Sequence, residues 1–279
     1  MHHLQAIVVH GGAGAAKSAQ DGCLAAAQAG MAALRDSANA LNAAVAAVVV
    51  LEDDPRFNAG TGSVPRLDGV TIEMDAAVMD SGDRLGAVAG LRLVRNPVLV
   101  ARAVCDTPHH LLCGEGAQRF ARQLGQPCHD APASQVRQRF APGATQLDGA
   151  PQPLPGGCDT VGAVVRDALG RFAVAGSTGG ASPAMNGRVG DTPLIGSGFY
   201  AGPAGAVAAT GVGEHIMRHL LAHTVYQWLA DGMPLAAALR RGVALFPPQV
   251  DIGLIAVTRT EAGSDSNRHM PWAQLTGSR

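Results

Sequence analysis

Charged and aromatic residues are both scarce in this chain of 279 residues, at 15% and 4% of the sequence. The net charge is −1 and no run of Lys or Arg occurs, which argues against a surface that neutralises nucleic-acid phosphates. The longest apolar run, residues 43–51, is far shorter than the roughly 20 residues that span a membrane, and the first residues lack a secretion signal. We therefore expect a soluble, cytoplasmic protein that binds small molecules or peptides.

Cysteines are also few. The chain has five, an odd number, and no two of them form a Cys-x-x-Cys pair. This pattern argues against a disulfide framework or a zinc site and fits a reducing compartment. His215, His219 and His223 would share one face of a helix, but no carboxylate completes a zinc motif, so we expect a packed or solvated stripe.

Proline and glycine are abundant, and prolines concentrate in residues 125–159, a stretch with little periodicity. A loop of this length is normally either functional or a linker. It could join two domains. However, the strand that follows has no helix or cap of its own, and each half has few strands for an independent sheet. We therefore interpret residues 1–279 as one domain with an internal linker.

Hydrophobic periodicity predicts alternating strands and helices. A buried strand at residues 6–9 runs into the glycine turn at 10–14, and two β-like runs within 69–90 flank a hairpin signal at 80–83. Helices are predicted at residues 19–35, 38–51, 97–104, 110–124, 213–230 and 235–245, and a late strand at 252–258.

The dipeptide Asp159-Thr160 marks the point where the linker meets a strand. Strands at 160–167 and 171–178 are predicted on either side of a three-residue loop. In that register, residues whose numbers sum to 338 face each other, so Thr160 lies opposite Thr178. Opposed Cβ atoms are within roughly 5 Å, and one hydroxyl could orient the other. A two-residue turn would pair Thr160 with Gly179 instead.

Cutting the bond between Asp159 and Thr160 would give the threonine a free α-amine. An amine with an unperturbed pKa near ~8 can take the proton of the hydroxyl, so one residue would supply both nucleophile and base. The same hydroxyl would first attack the Asp159 carbonyl and turn the amide into an ester. The competing interpretation is an ordinary β-branched residue opening a strand. Cys158 is a poor candidate nucleophile because cleavage leaves it on the other fragment.

Neighbouring motifs bear on this choice. Three blocks follow in order: Thr160-Val161-Gly162, Gly187-Arg188-Val189-Gly190-Asp191 and Ala209-Thr210-Gly211. With the turns at 10–14 and 57–63, they closely resemble the plant-type asparaginase and isoaspartyl peptidase family of N-terminal-nucleophile hydrolases, over residues 6–258. The resemblance implies an α/β fold, an αββα sandwich in which helices flank two central, mainly antiparallel sheets.

The resemblance also implies roles for individual residues. Arg188 matches the residue that binds the substrate α-carboxylate, which suits a guanidinium with parallel donors. Asp191 matches the partner of the α-ammonium. Thr210 and Gly211 match an oxyanion hole made by a hydroxyl and a backbone N–H. Gly213, close by, could let a substrate group approach the backbone.

Two further matches concern the nucleophile and a metal. Thr178 resembles the family residue that hydrogen-bonds the nucleophile, and Asn58 resembles one that contacts it. The loop from Leu51 to Asn58 resembles one whose backbone carbonyls hold a structural sodium ion. No organic cofactor is implied.

The expected protein is thus a hydrolase processed into residues 1–159 and 160–279, with two processed precursors paired as (αβ)2. It would hydrolyse L-asparagine and β-aspartyl dipeptides through a Thr160 acyl-enzyme. Asp159 stands where many asparaginase relatives have glycine, and glycosylasparaginases carry Asp-Thr there, so cleavage of glycosylated asparagine is an alternative. A non-catalytic, uncleaved amino-acid-binding protein is another.

Two other segments matter. Residues 266–270 depart in spacing from the family's Asn-Thr-x-x-Met, which predicts a different closure of the pocket on that side. Residues 11–18 nearly form a phosphate loop, but Ala16 stands where that motif requires glycine. We therefore do not expect nucleotide binding.

Overall fold

The computed structural model describes residues 3–126, 128–129 and 160–277. Asp159, Cys158 and most of the predicted linker lie outside the described residues. Two sheets pack face to face, and helices cover the outer face of each. This αββα arrangement confirms the predicted fold class.

The helices are α1 (Gln20–Ser37), α2 (Ala40–Asp53), α3 (Pro97–Val104), α4 (Gly114–Gln123), α5 (Gly213–His219), α6 (Leu221–Ala230) and α7 (Leu235–Val243). The strands are β1 (Ala6–His10), β2 (Met74–Asp80), β3 (Leu85–Leu91), β4 (Leu111–Cys113), β5 (Val161–Arg166), β6 (Phe172–Thr178), β7 (Phe199–Gly202), β8 (Gly205–Gly211), β9 (Ile252–Thr258), β10 (Ala262–Ser266) and β11 (Trp272–Thr276).

The larger sheet has the strand order β11-β1-β5-β6-β2-β3-β4, and the smaller has the order β10-β9-β8-β7. All pairs are antiparallel except β3 with β4. The alanine-rich helices α1 and α2 and the short helix α3 pack on the larger sheet, while α6 and α7 pack on the smaller. Every residue of β5 and β6 is buried, because both faces of these central strands are covered.

The hairpin of β5 and β6 has the predicted register. Val161 faces Ser177 and Arg166 faces Phe172, so paired residue numbers sum to 338. The turn closes with a hydrogen bond of 3.0 Å from the Asp167 N–H to the Arg171 carbonyl. The two-residue alternative is therefore wrong, and Thr160 enters β5 beside the end of β6.

Two predicted helices differ from the structure. The helix expected at 213–230 is divided into α5 and α6 by Leu220, whose φ of 43° is left-handed. No glycine or proline marks this break in the sequence. The helix expected at 110–124 starts only at Gly114, because residues 111–113 pair with β3 as the edge strand β4.

Five strands, β4, β7, β8, β10 and β11, were not predicted. Strand β8 is rich in alanine and glycine, and β10 is polar and half-buried, so neither carries a strong strand pattern. The break at Leu220 also separates His219 from His223. Among the described residues, no group of three or more His, Cys, Asp or Glu is arranged to hold a metal ion. No described helix is both long and apolar enough to cross a bilayer.

Candidate active site

Thr160 lines a cavity that lies between the two sheets and the loop after β6. The side chains and backbone that line it include five of the residues proposed from sequence, and the full lining is Thr160, Thr178, Gly180, Ala181, Arg188, Gly190, Asp191, Thr192 and Gly211. Thr160 itself is only 7% exposed. The fold thus brings motifs separated by up to 51 positions to one place.

The Thr160 hydroxyl contacts another hydroxyl that the sequence did not single out. Its oxygen lies 3.5 Å from the hydroxyl oxygen of Thr192, and either atom can be the donor. Thr178 lines the same cavity, where its hydroxyl accepts a hydrogen bond of 3.0 Å from the Gly180 N–H. The only sequence signal for Thr192 was its position directly after Asp191.

Thr210 lies at the end of β8, against the backbone of Thr160. Its buried hydroxyl donates to the Thr160 carbonyl at 3.3 Å and accepts from the Ala13 N–H at 3.4 Å. Gly211 follows with a φ of 138°, and a Cβ there would collide with the Asp251 carbonyl. A side chain at position 211 is therefore excluded, which leaves the backbone of Gly211 open to the cavity.

Arg188 forms a two-pronged ion pair with Glu214 of α5. Its Nε donates to one carboxylate oxygen at 2.9 Å and its Nη2 to the other at 2.8 Å. The Arg188 side chain is 16% exposed. Burial tends to raise the pKa of Glu214, but these hydrogen bonds outweigh it and hold the pKa below its ordinary value. Sequence reasoning missed Glu214, although it follows the Ala-Thr-Gly block closely.

Asp191 is fully buried, and burial raises its pKa to about 7. Its Oδ2 accepts no hydrogen bond from the described part of the chain. Gly213 packs directly against this carboxylate and against Arg188. A Cβ at position 213 would lie 2.8 Å from Asp191 Oδ1 and 2.9 Å from Arg188 Nη2. Glycine at 213 therefore makes room for both charged side chains.

Asn58 joins the 57–63 turn to the strand end after Thr178. Its Nδ2 donates to the Gly180 carbonyl at 2.6 Å, and its own carbonyl accepts from the Gly179 N–H at 2.8 Å. Its Oδ1 accepts from the Val64 N–H at 3.1 Å. The amide side chain thereby fixes the backbone on which the cavity wall is built.

His10 is a further residue next to Thr160. It ends β1 and faces Gly162 of β5, and a Cβ at position 162 would lie 2.5 Å from His10 Nε2. Burial lowers the pKa of His10 to about 3, against a smaller opposing effect of the Thr160 backbone. A neutral imidazole therefore lies under the start of β5 at physiological pH.

Backbone oxygens of the proposed sodium loop surround the short turn Gly60–Gly62. A Cβ added to Gly60 would lie 2.5 Å from the Glu52 carbonyl oxygen, and one added to Gly62 would meet the carbonyls of Pro55 and Phe57. Oxygen donors suit a hard cation. Carbonyl oxygens, the donor type that the resemblance implies for sodium, are therefore present in this loop.

Comparison with known proteins gives a consistent result. A family model with the description Asparaginase matches residues 3–277. The isoaspartyl peptidase/L-asparaginase of Danio rerio is 40% identical over 97% of this chain and 92% of its own length. The protein of the same name from Macaca fascicularis is 38% identical, over 96% and 92%. The plant-type L-asparaginase of Pyrococcus horikoshii is 38% identical, over 97% and 96%. The chain belongs to the asparaginase family that its motifs resemble.

Proposed function

We propose that this protein is a self-cleaving amidohydrolase that hydrolyses L-asparagine to aspartate and ammonia and cleaves β-aspartyl dipeptides. Relatives that align with nearly all of the chain are named isoaspartyl peptidase/L-asparaginase or plant-type L-asparaginase. One structural observation carries the proposal: Thr160, Arg188 and Asp191 line one cavity, where Thr210 contacts the Thr160 carbonyl.

Activation begins at the bond between Asp159 and Thr160. The Thr160 hydroxyl attacks the Asp159 carbonyl and expels the Thr160 nitrogen, so the amide becomes an ester. Water then hydrolyses the ester, releasing the Asp159 carboxylate and regenerating the hydroxyl. The new α-amine lies on the same residue as the nucleophile and can accept its proton.

In turnover, the Thr160 oxygen attacks the side-chain carbonyl of the substrate. The negative oxygen that develops is stabilised by the Thr210 hydroxyl and the Gly211 N–H. The intermediate collapses to a β-aspartyl ester of Thr160, and the leaving group departs as ammonia or as the amine of the second residue. Attack by water on the ester releases aspartate.

Arg188 and Asp191 select the amino-acid head group. The guanidinium binds the α-carboxylate and the Asp191 carboxylate binds the α-ammonium. Without substrate, burial is the main cause that raises the pKa of Asp191 to about 7. A bound ammonium favours the ionised form, so substrate binding and ionisation of Asp191 reinforce each other.

The accessory features follow the family pattern. The backbone carbonyls of the loop from Leu51 to Asn58 would hold the structural sodium ion that the family resemblance implies, and this ion would take no part in the chemical steps. No organic cofactor is required, because Thr160 supplies both nucleophile and base. Two processed precursors pair as (αβ)2, and the protein acts in the cytoplasm. Thr178 and Asn58 help to orient the nucleophile, and Gly213 lets a substrate group approach the backbone.

The activity on glycosylated asparagine, suggested by Asp159, gains no support from these relatives, whose names specify asparagine and isoaspartyl peptides. The same names count against a non-catalytic binding protein. We therefore favour no second function.

Intact mass and N-terminal sequencing of the purified protein test the proposal. We expect two chains, the second beginning at Thr160, and turnover of asparagine and a β-aspartyl dipeptide that exceeds turnover of glycosylated asparagine. Thr160→Ala should abolish both cleavage and hydrolysis, while Thr224→Ala, at a half-buried position of α6 outside the cavity lining, should change neither. A persistent single chain of 28.3 kDa without hydrolysis would refute the proposal.

A further inference from the structure

Arg66 is a buried arginine to which the proposed reaction gives no role. Its side chain is fully buried, so its charge must be compensated inside the protein. Its Nε donates to Glu73 Oε2 at 3.3 Å, and its Nη2 donates to the Glu73 carbonyl at 3.1 Å. The same Nη2 donates to the carbonyl of Arg188 at 3.1 Å. Arg66 thus contacts the backbone of the residue proposed to bind the substrate carboxylate.

Glu73 holds the neighbouring residue. Its Oε2 accepts a hydrogen bond of 2.6 Å from the Gly187 N–H, while its other oxygen accepts from Arg92. Together, Arg66 and Glu73 therefore fix the N–H of Gly187 and the carbonyl of Arg188. Residues 179–198, between β6 and β7, contain no helix or strand. Hydrogen bonds from buried side chains therefore satisfy and fix backbone groups that a helix or a β-sheet would otherwise pair.

Arg66 also lies against the start of this segment. A Cβ at Gly180, whose φ is 80°, would lie 3.1 Å from the Arg66 Cζ. The negative charges of Asp75 and Glu73 both act on the Arg66 guanidinium. Asp75 faces Thr178 across β2 and β6. The arginine is therefore clamped between the end of β6 and the backbone of Arg188.

We propose that Arg66 is a positioning residue for substrate recognition. By holding the Arg188 backbone, it places the Arg188 guanidinium where it can bind the α-carboxylate of the substrate. This inference rests on the proposed function. Arg66 acts through the Arg188 backbone and not by touching the substrate. Its loss should therefore weaken recognition of the α-carboxylate more than it slows cleavage of the bond.

Arg66→Met tests this inference, because methionine fills similar space without donors. Arg166→Met is the matched control. Arg166 is equally buried and also donates to backbone carbonyls, including that of Leu4 at 2.6 Å, but it lies at the far end of β5 from Thr160. Each variant is assayed with L-asparagine and with L-asparaginamide, which lacks the carboxylate charge.

We expect Arg66→Met to raise KM for asparagine by about 10-fold and to leave kcat within about 3-fold, the signature of lost binding common to ground and transition states. The preference for asparagine over asparaginamide in kcat/KM should fall by about 10-fold. Self-cleavage, which uses no substrate carboxylate, should continue. Arg166→Met should keep the wild-type preference.

An unchanged preference in Arg66→Met, or an equal fall in both variants, would overturn the inference. If Arg66→Met does not fold, Glu73→Gln replaces it. This substitution weakens the hydrogen bonds that Glu73 makes with Gly187 and Arg66, and it should lower the preference for asparagine over asparaginamide by less than about 10-fold. An unchanged preference in Glu73→Gln would also overturn the inference. If the proposed function itself is wrong, the wild type will not hydrolyse asparagine, which distinguishes that outcome from failure of the inference on Arg66. Calorimetric binding of asparagine and asparaginamide then provides the same comparison.

Discussion

The hydroxyl oxygens of Thr160 and Thr192 lie 3.5 Å apart in the candidate active site. Both residues are buried, so this contact is shielded from bulk water. The hydroxyl of Thr178, by comparison, accepts from the Gly180 N–H. Thr192 is therefore placed to orient Thr160, the proposed nucleophile, before attack.

Replacing Thr192 tests that contact. Thr192→Val keeps the shape but removes the hydroxyl, and a hydrogen bond of this kind is worth about 1 kcal/mol, so kcat/KM should fall by about 5- to 10-fold. Thr192→Ser keeps the hydroxyl and should stay close to wild type. Steady-state kinetics on asparagine give the comparison, and equal activity of the two variants would contradict the prediction.

Thr210→Val should lower kcat by about 10²- to 10³-fold, the usual effect of losing one oxyanion donor. KM should change little, because the hydroxyl donates to the Thr160 carbonyl in the structure and would turn to the substrate oxygen only as negative charge develops. Thr224→Val is the control, since this hydroxyl also donates to a carbonyl, that of His219 at 2.8 Å, but lies outside the cavity lining. A purely raised KM in Thr210→Val would point to ground-state binding instead.

Gly213→Ala should weaken substrate binding without lowering the stability of the fold. Alanine favours a helix by about 1 kcal/mol over glycine, so folding at the start of α5 should not suffer from propensity. The added Cβ would press on Asp191 and Arg188, and KM for asparagine should rise by at least about 10-fold. Gly116→Ala in α4, where nothing lies within 4 Å of the added Cβ, should leave KM unchanged. Equal KM values in the two variants would argue against the proposed head-group site.

Asp191 should make stability depend on pH. Its pKa of about 7 in the native state exceeds the ordinary value near ~3.9, so between these values the native state binds more protons than the unfolded state. The free energy of unfolding therefore falls as pH rises from about 4 to 7 through this group. An asparagine at 191 carries no charge at any pH.

Urea unfolding of Asp191→Asn at pH 4 and pH 8 measures this effect. The variant should match the wild type at pH 4 and exceed it by on the order of 2–4 kcal/mol at pH 8. Asp231→Asn, at an exposed position after α6, controls for the substitution itself. A variant less stable than the wild type at pH 8 would show that the Asp191 carboxylate is stabilised in the native site.

Local chemistry determined the parts of the fold that were predictable. Gly170, with a φ of 75°, fits a tight turn, and the hairpin register followed from the loop length. Helix α3 and strand β9 have the predicted bounds because their apolar patterns are continuous. By contrast, β10 and β11 pair with partners that no local pattern identifies, and Leu220 adopts a left-handed conformation without a glycine.

In the candidate site, too, some residues could be predicted from sequence motifs and others could not. Arg188, Asp191 and Thr210 stood in recognisable blocks and line or adjoin one cavity. The partner of Arg188, however, is Glu214, and the buried Arg66 reaches the Arg188 carbonyl across 122 positions. Such contacts depend on how loops pack, so the sequence alone could not supply them.

The strand order of the larger sheet interleaves the residues on either side of the proposed cut. Strands β1 to β4 precede position 160 and β5 to β11 follow it, and the ladders β11–β1, β1–β5 and β6–β2 each join the two parts. A processed molecule would therefore hold together without its covalent connection. Its unfolding would release two separate polypeptides, so recovery from denaturation would become a second-order process that dilution disfavours.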